Sequence, residues 1–308
     1  RDDLVTGVQT CALPILDETN KWKNLIGKRF IDLLRIDELF PFLEGREREI
    51  EAFIHLGACS DTLEKNGSYL MDNNYRFSVR LAAYALTHGQ RFIYASSAAT
   101  YGDGKKGFSD DPALLRGLSP LNLYGFSKHL FDLWLERQGA LDKVVGLKYF
   151  NVFGPNEDDK GRMASMVHKM YPIIQKEGVI RLFESSEKEK FGDGEQCRDF
   201  IYVKDAARIT CEFLHNEITG IFNVGRGEAV TWNRLAKAVF SAMDLSPAIE
   251  YIPMPDDLKK QYQNYTCADM TRLKEERKEV GLGPLCEYSV EEGVADYIRN
   301  YLAKGERW

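Results

Sequence analysis

Tyr124-Gly125-Phe126-Ser127-Lys128, taken with Ser96-Ser97-Ala98-Ala99-Thr100-Tyr101 upstream, decides how this chain is read. A Tyr and a Lys at i and i+4 share one face of a helix. There the ammonium can lower the phenol pKa and hold a ribose hydroxyl, while the phenol serves as acid or its anion as base. Ser97 ends the apolar run Phe92-Ile93-Tyr94-Ala95, which predicts a strand. Its C-terminal edge is where open α/β sheets bind ligands. A YxxxK alone also describes many solvated helix faces. Paired with the serine-rich strand end, it predicts a hydride-transfer site on a nicotinamide cofactor.

Working outward, strands and helices alternate. Residues 52–56 form a short apolar run that ends in Gly57-Ala58-Cys59-Ser60, small residues that let backbone approach a ligand. A helix is predicted over 68–88, a strand over 92–97, the YxxxK helix over 122–138 and a strand over 144–150. This predicts an α/β, Rossmann-like, doubly wound parallel sheet. Beyond Pro155 the pattern loosens: a helix at 163–176, a polar loop at 184–196, a helix at 205–216 after Ile201-Tyr202-Val203, and a strand at 220–225. Helices at 231–243 and 289–302 follow. The expected division is a dinucleotide-binding domain over 16–155 and a smaller C-terminal substrate lobe, mainly 156–308, with some elements returning to the first.

The 308 residues are 44% hydrophobic and 29% charged with a net charge of −6, and no basic stretch is interleaved with aromatics, which argues against nucleic acid. Six cysteines lie far apart without a CxxC. Free thiols in a reducing compartment are expected, not a zinc site or a disulfide framework. No apolar run approaches a membrane span, so a soluble, cytoplasmic protein is expected.

Residues 1–15 stand apart. They show no helical or strand period and no signal-peptide organisation. Val5-Thr6-Gly7-Val8-Gln9-Thr10-Cys11-Ala12-Leu13-Pro14-Ile15 resembles one translated frame of a short-read sequencing adapter. The expectation is an assembly artefact joined to a truncated reading frame. A dinucleotide fold opens with a strand, a Gly-rich turn and a helix, yet no G-x-x-G-x-x-G occurs in the chain. The first βαβ unit is therefore expected to be missing, and the chain as written to be inactive.

Eight segments carry a resemblance: His55-Leu56-Gly57-Ala58-Cys59-Ser60, Met71-Asp72-Asn73-Asn74-Tyr75, residues 94–102, residues 123–128, residues 149–155, Lys160-Gly161-Arg162-Met163-Ala164-Ser165, residues 198–203 and Tyr262-Gln263-Asn264-Tyr265-Thr266. With them the chain, from about Leu16 onward, resembles the extended short-chain dehydrogenase/reductase superfamily of nucleotide-sugar epimerases and dehydratases. Within it the ADP-heptose 6-epimerase family is the nearest in pattern. The YxxxK and strand motifs mark only the superfamily; the G-A-C-S and K-G-x-M-A-S segments are more specific.

The resemblance implies inversion at C6″ of ADP-heptose through a transient 6-keto sugar, with tightly bound NADP, for lipopolysaccharide core heptose synthesis. It implies Tyr124 and Lys160 as acid/base groups on opposite faces and Ser97 as a donor to the reacting oxygen. A lysine base needs burial beside another cation. Cofactor contacts are implied at Lys21, Leu56, Gly57, Ala58, Cys59, Ser60, Asn73, Lys128, Val152 and Lys160. NADP is preferred to NAD because Lys21 and Lys23 sit where a 2′-phosphate would be read. Substrate contacts are implied at Asn151, Arg162, His168, Phe183, Glu184, Ser185, Ser186, Arg198 and Tyr262, in a homo-oligomer. The family often has Gly in place of Ser185, and 187–197 is longer than its pattern. Two alternatives stay open: another nucleotide-sugar epimerase or dehydratase, and a non-catalytic cofactor-binding regulator, although such regulators commonly lose the YxxxK pair.

Overall fold

The apolar runs near the middle of the chain become parallel strands because both of their faces are covered. The computed structural model describes residues 11–12, 19–259 and 262–308. Apart from Cys11 and Ala12, the segment expected to be extraneous lies outside the described residues, as do residues 16–18 at the expected domain start.

The strands are β1 (Cys11–Ala12), β2 (Asp32–Leu33), β3 (Ala52–His55), β4 (Arg91–Ser97), β5 (Val145–Tyr149), β6 (Asn151–Phe153), β7 (Ile180–Phe183), β8 (Cys197–Tyr202), β9 (Gly220–Val224), β10 (Ala229–Thr231) and β11 (Ile249–Ile252). The α-helices are α1 (Leu39–Leu43), α2 (Gly67–Leu70), α3 (Phe77–Thr87), α4 (Leu123–Arg137), α5 (Met166–Glu177), α6 (Val203–Glu212), α7 (Trp232–Ala242), α8 (Asp256–Lys259), α9 (Thr271–Glu279) and α10 (Val290–Tyr297). The main sheet has the order β3-β4-β5-β9, and every pair in it is parallel. Strand β8 pairs parallel with β6 and antiparallel with β10, β7 pairs with β11, and β1 with β2 forms a separate two-stranded ribbon.

Side-chain alternation along β4 shows why the sheet is wound on both sides. Phe92 and Tyr94 pack with Leu81 and Ala85 of α3 and with Phe131 and Leu135 of α4. Ile93, with Val145, Leu147 and Phe222, packs with Ile209 and Phe213 on the opposite face. Strands buried on both faces read as continuous apolar runs, which is why these were legible. A further cluster joins Val167 and Met170 of α5, Phe200 and Tyr202 of β8, and Leu235 and Val239 of α7 to Val294 of α10.

The helix predicted over 68–88 is interrupted: α2 and α3 are joined by a π-helical turn, Met71–Arg76, which carries the buried Asn74. Such turns often mark functional sites. Strands β6, β7, β10 and β11 were not predicted; each has only three or four residues, too few for a period to show. Asn122 caps α4 by accepting the Gly125 N–H at 2.8 Å. A Cβ at Gly125 would lie 2.7 Å from the Ala99 carbonyl oxygen, so glycine is what lets α4 approach the turn after β4. No described helix is long and apolar enough to cross a membrane. Among the described residues the outer edge of β3 has no ladder partner. Exposed apolar side chains gather in the same part of the chain, at Trp22, Ile26, Ile31, Ile36, Ile54, Leu56 and Leu63.

Candidate active site

A cleft of about 250 Å³ opens at the C-terminal ends of β4 and β5, lined by Ser97, Ala98, Ala99, Asn122, Tyr124, Tyr149, Phe150, Asn151, Gln263 and Thr266 among others. The close approach at Gly125 sets Tyr124 against Ser97. Burial pushes the Tyr124 phenol up, and a hydrogen bond with Ser97 pulls it partly back. The expected influence of Lys128 on this phenol is not found. The Lys128 ammonium donates to the Ala95 carbonyl at 2.7 Å, and the groups acting on the phenol besides burial are Ser97 and Cys59. Burial takes Lys128 down to about 8, against the opposing attraction of Asp132.

The loop of residues 57–60 follows β3 and is fixed by Asn74, not by its neighbour Asn73. Asn74 Oδ1 accepts the Cys59 N–H at 2.8 Å, and its amide donates to the Cys59 carbonyl at 2.9 Å and to Ser127 Oγ at 3.0 Å. Asn73 donates its own amide to Asn74 Oδ1 at 2.9 Å. Ser78 donates to the Asn74 carbonyl and meets His55 Nε2 at 2.7 Å. His55 is pushed down to about 3, chiefly by burial and then by Lys128, and is neutral. Leu56 is exposed at the start of the loop. Among the described residues, its chain neighbours aside, nothing lies within 4 Å of where a Gly57 Cβ would stand. Replacing Asn74 by Ala leaves backbone groups of Cys59 without partners. We expect it to cost roughly 1–3 kcal/mol in urea unfolding and to weaken cofactor binding. Unchanged stability would show that the loop is held by other contacts.

Lys160 and its loop depart from expectation. The Lys160 side chain is 52% exposed, and its ammonium lies 3.7 Å from the Glu157 carboxylate. The burial beside a cation that a lysine base requires is absent from this arrangement, and Lys160 is not among the residues lining the cleft. Buried Glu157 accepts from the Ser165 backbone N–H at 3.2 Å and its hydroxyl at 2.5 Å, and from Tyr297 at 3.4 Å. Tyr297 in turn meets His168 Nδ1 at 2.9 Å. Arg162 reaches across to Asp61, joining this loop to the one after β3. Lys21 lies on the 3-10 turn Asn20–Leu25, whose first N–H is accepted by Asp159 at 3.1 Å. Arg307 grips the same carboxylate at 3.3 Å.

A second constellation adjoins the cleft. Arg198 on β8 is 9% exposed, and its guanidinium lies 4.9 Å from the Tyr262 ring centre and 5.7 Å from that of Trp232. The Trp232 indole N–H donates to the Tyr262 hydroxyl at 2.8 Å, fixing both rings. Arg198 donates to the Cys197 carbonyl at 2.8 Å, and no carboxylate pairs with it among the described residues. Its neighbour Asp199 is occupied with the backbone N–H groups of Arg226, Gly227 and Ala268. Burial pushes the guanidinium below its ordinary value. Phe183 ends β7 and Glu184 follows it, its carbonyl accepting from Gln196 at 3.2 Å. Ser185 is buried, its N–H held by Asp193 at 2.8 Å, while Ser186 is exposed. The two constellations touch through consecutive residues: Gln263 lines the cleft and Tyr262 covers Arg198. Asn151 also lines the cleft and donates to the Asp199 carbonyl at 2.9 Å, with Val152 half-buried beside it. Asn74, Trp232 and Gln263 were missed from sequence, since each earns its place only through partners distant along the chain.

Comparisons with known proteins agree with this geometry. Residues 15–225 match the model of the NAD dependent epimerase/dehydratase family. An ADP-L-glycero-D-manno-heptose-6-epimerase of Nitratidesulfovibrio vulgaris is 47% identical over 294 residues, covering 94% of this chain and 89% of its own. The enzyme of that name from Fusobacterium nucleatum is 42% identical over 306 residues, covering 95% and 90%. The crystal structure of the Helicobacter pylori ADP-L-glycero-D-manno-heptose-6-epimerase superposes with a TM-score of 0.73 at 28% identity, over 91% of this chain and 81% of that one. The fold alone is also shared with UDP-glucose 4-epimerase of Thermotoga maritima, TM-score 0.76 at 22% identity over 98% and 93%. The sheet and the relatives agree, and the chain belongs to the NAD dependent epimerase/dehydratase family and, within it, to the ADP-L-glycero-D-manno-heptose-6-epimerases.

Proposed function

We propose that this protein inverts C6 of the heptose in ADP-glycero-D-manno-heptose, interconverting its D-glycero and L-glycero forms for lipopolysaccharide core synthesis. The observation that carries the reading is Arg198: a buried guanidinium with no carboxylate partner among the described residues, in an aromatic box one residue from a cleft that holds Ser97 and Tyr124. A buried charge without a counter-ion calls for an anionic ligand, and a guanidinium matches a diphosphate bidentately.

The open space at Gly57, the Asn74-bound loop and Lys128 at the strand end fit a nicotinamide dinucleotide. Its chemistry is the removal and return of a hydride at the sugar carbon. Lys128 binds the ribose, Leu56, Gly57, Ala58, Cys59, Ser60 and Asn73 form the floor, and Val152 closes the side. Lys21 reads a 2′-phosphate, which makes the cofactor NADP. Tyr124 takes and returns the proton of the C6 hydroxyl while Ser97 donates to the same oxygen. Phe183, Glu184, Ser185, Ser186 and Tyr262 receive the adenosine, and Asn151, Arg162 and His168 face the sugar.

Lys160 serves the second face, which requires its loop to carry it from the Glu157 carboxylate to the cleft. Lys160→Met should lower turnover of the ADP-heptose epimers by about 10²–10³-fold with cofactor still bound. Unchanged turnover would assign both proton transfers to Tyr124.

A further inference from the structure

Residues 158–164, the loop that carries Lys160, are closed at their base by one buried side chain. Glu157 stands just before the loop and Ser165 just after it, and Glu157 is 4% exposed. One carboxylate oxygen accepts the Ser165 N–H at 3.2 Å and the other accepts the Ser165 hydroxyl at 2.5 Å. Tyr297 of α10, itself buried, donates to the second oxygen at 3.4 Å and meets His168 Nδ1 of α5 at 2.9 Å. The base of the loop is thus fastened to two helices. The Glu157 carbonyl also accepts the Lys160 N–H at 2.9 Å, which sets the lysine one turn from the fastening.

Farther out the ties are of another kind. Arg162, 60% exposed, pairs with Asp61, and the exposed Lys169 ammonium donates to the Arg162 carbonyl at 2.7 Å. The half-exposed Lys160 ammonium lies 3.7 Å from Glu157. Exposed ion pairs hold weakly. A loop with a buried fastening at its base and solvated ties along its outer part releases the outer part first.

We propose that Glu157 is the positioning residue for Lys160. By bridging to Ser165 its carboxylate keeps the base of the loop fixed while the outer part carries the ammonium to the cleft. The proposal rests on the assignment of Lys160 to the second face. Glu157 touches neither sugar nor cofactor in this scheme and acts through the lysine. Without the fastening the loop takes many arrangements, few of which present Lys160 to the sugar. Turnover then suffers, while ADP still binds, because Arg198 and its aromatic box stand on other elements.

The test is a double-mutant cycle on kcat with ADP-heptose, with ADP affinity read by calorimetry on the same preparations. Glu157→Ala should lower kcat about tenfold when Lys160 is present, and leave it within about twofold in the Lys160→Met background, where there is no lysine to place. ADP affinity should be unchanged in both. If Glu157→Ala does not fold, Glu157→Gln offers Ser165 one acceptor in place of two, and its fall of about threefold should again require Lys160. Equal falls in the two backgrounds, or ADP affinity lost together with turnover, would make Glu157 a structural residue and overturn the proposal. An unchanged kcat in a folded Glu157 variant that retains Lys160 would overturn it as well. Native kcat in Lys160→Met would overturn the second-face assignment and the proposal together. A slow Lys160→Met combined with equal falls would overturn the proposal alone.

Discussion

Tyr124→Phe is expected to lower kcat by about 10³-fold while NADP affinity changes little. The substitution removes one oxygen and keeps the ring, so the wall of the cleft is preserved. What is lost is the group that accepts and returns the proton of the reacting hydroxyl. Burial holds that phenol above its ordinary value, with Ser97 opposing, so the phenol of the free site is protonated and must pass its proton on before it can accept the one from the reacting hydroxyl. Lys128 is fixed by the Ala95 carbonyl and does not depend on the phenol, which is why cofactor binding should survive. Steady-state turnover and NADP titration of the same preparation separate the two effects. A variant with more than a tenth of native turnover would mean that another group carries the proton.

Arg198→Met should have two effects of opposite sign. Affinity for the ADP-sugar should fall by about 100-fold, the scale for losing a desolvated charged partner. Thermal stability of the protein without substrate should rise, because a buried cation with no carboxylate partner among the described residues is replaced by an apolar side chain of similar length. The aromatic box remains to pack against it, since Tyr262 and Trp232 are bonded to each other. Calorimetric binding of ADP and a melting curve together provide the check. A loss of stability with unchanged affinity would make Arg198 a structural residue and remove the main support for a diphosphate site.

What could be read from sequence followed from how each residue finds its partners. Tyr124 and Lys128 are four apart on one helix, and Ser97 ends a strand whose apolar run announces itself, so spacing alone brings them near each other. The main sheet was legible for the same reason: β4 and β5 are buried on both faces and read as unbroken apolar runs. Asp132 and Lys148 were not legible because a charged residue in sequence carries no mark of burial, and their bond joins a helix to a strand. Asn74 lies in a π-helical turn and its partners Cys59 and Ser127 are 15 and 53 residues away, so nothing local marks it, and the resemblance pointed to Asn73. For Lys160 the motif was visible, but its exposure and its Glu157 neighbour belong to the folded loop.

The rim of β3, unpaired among the described residues and with Ile54 and Leu56 at its surface, bears on the colloidal behaviour of this chain. A strand edge with free N–H and C=O groups beside apolar side chains is a template on which a second molecule can add its own strand. Trp22, Ile26 and Leu63 add further exposed apolar surface elsewhere on the chain. Attraction of that kind grows with concentration and with salts that strengthen apolar burial, such as sulfate. These 308 residues are therefore expected to stay dispersed longest when dilute and in low sulfate.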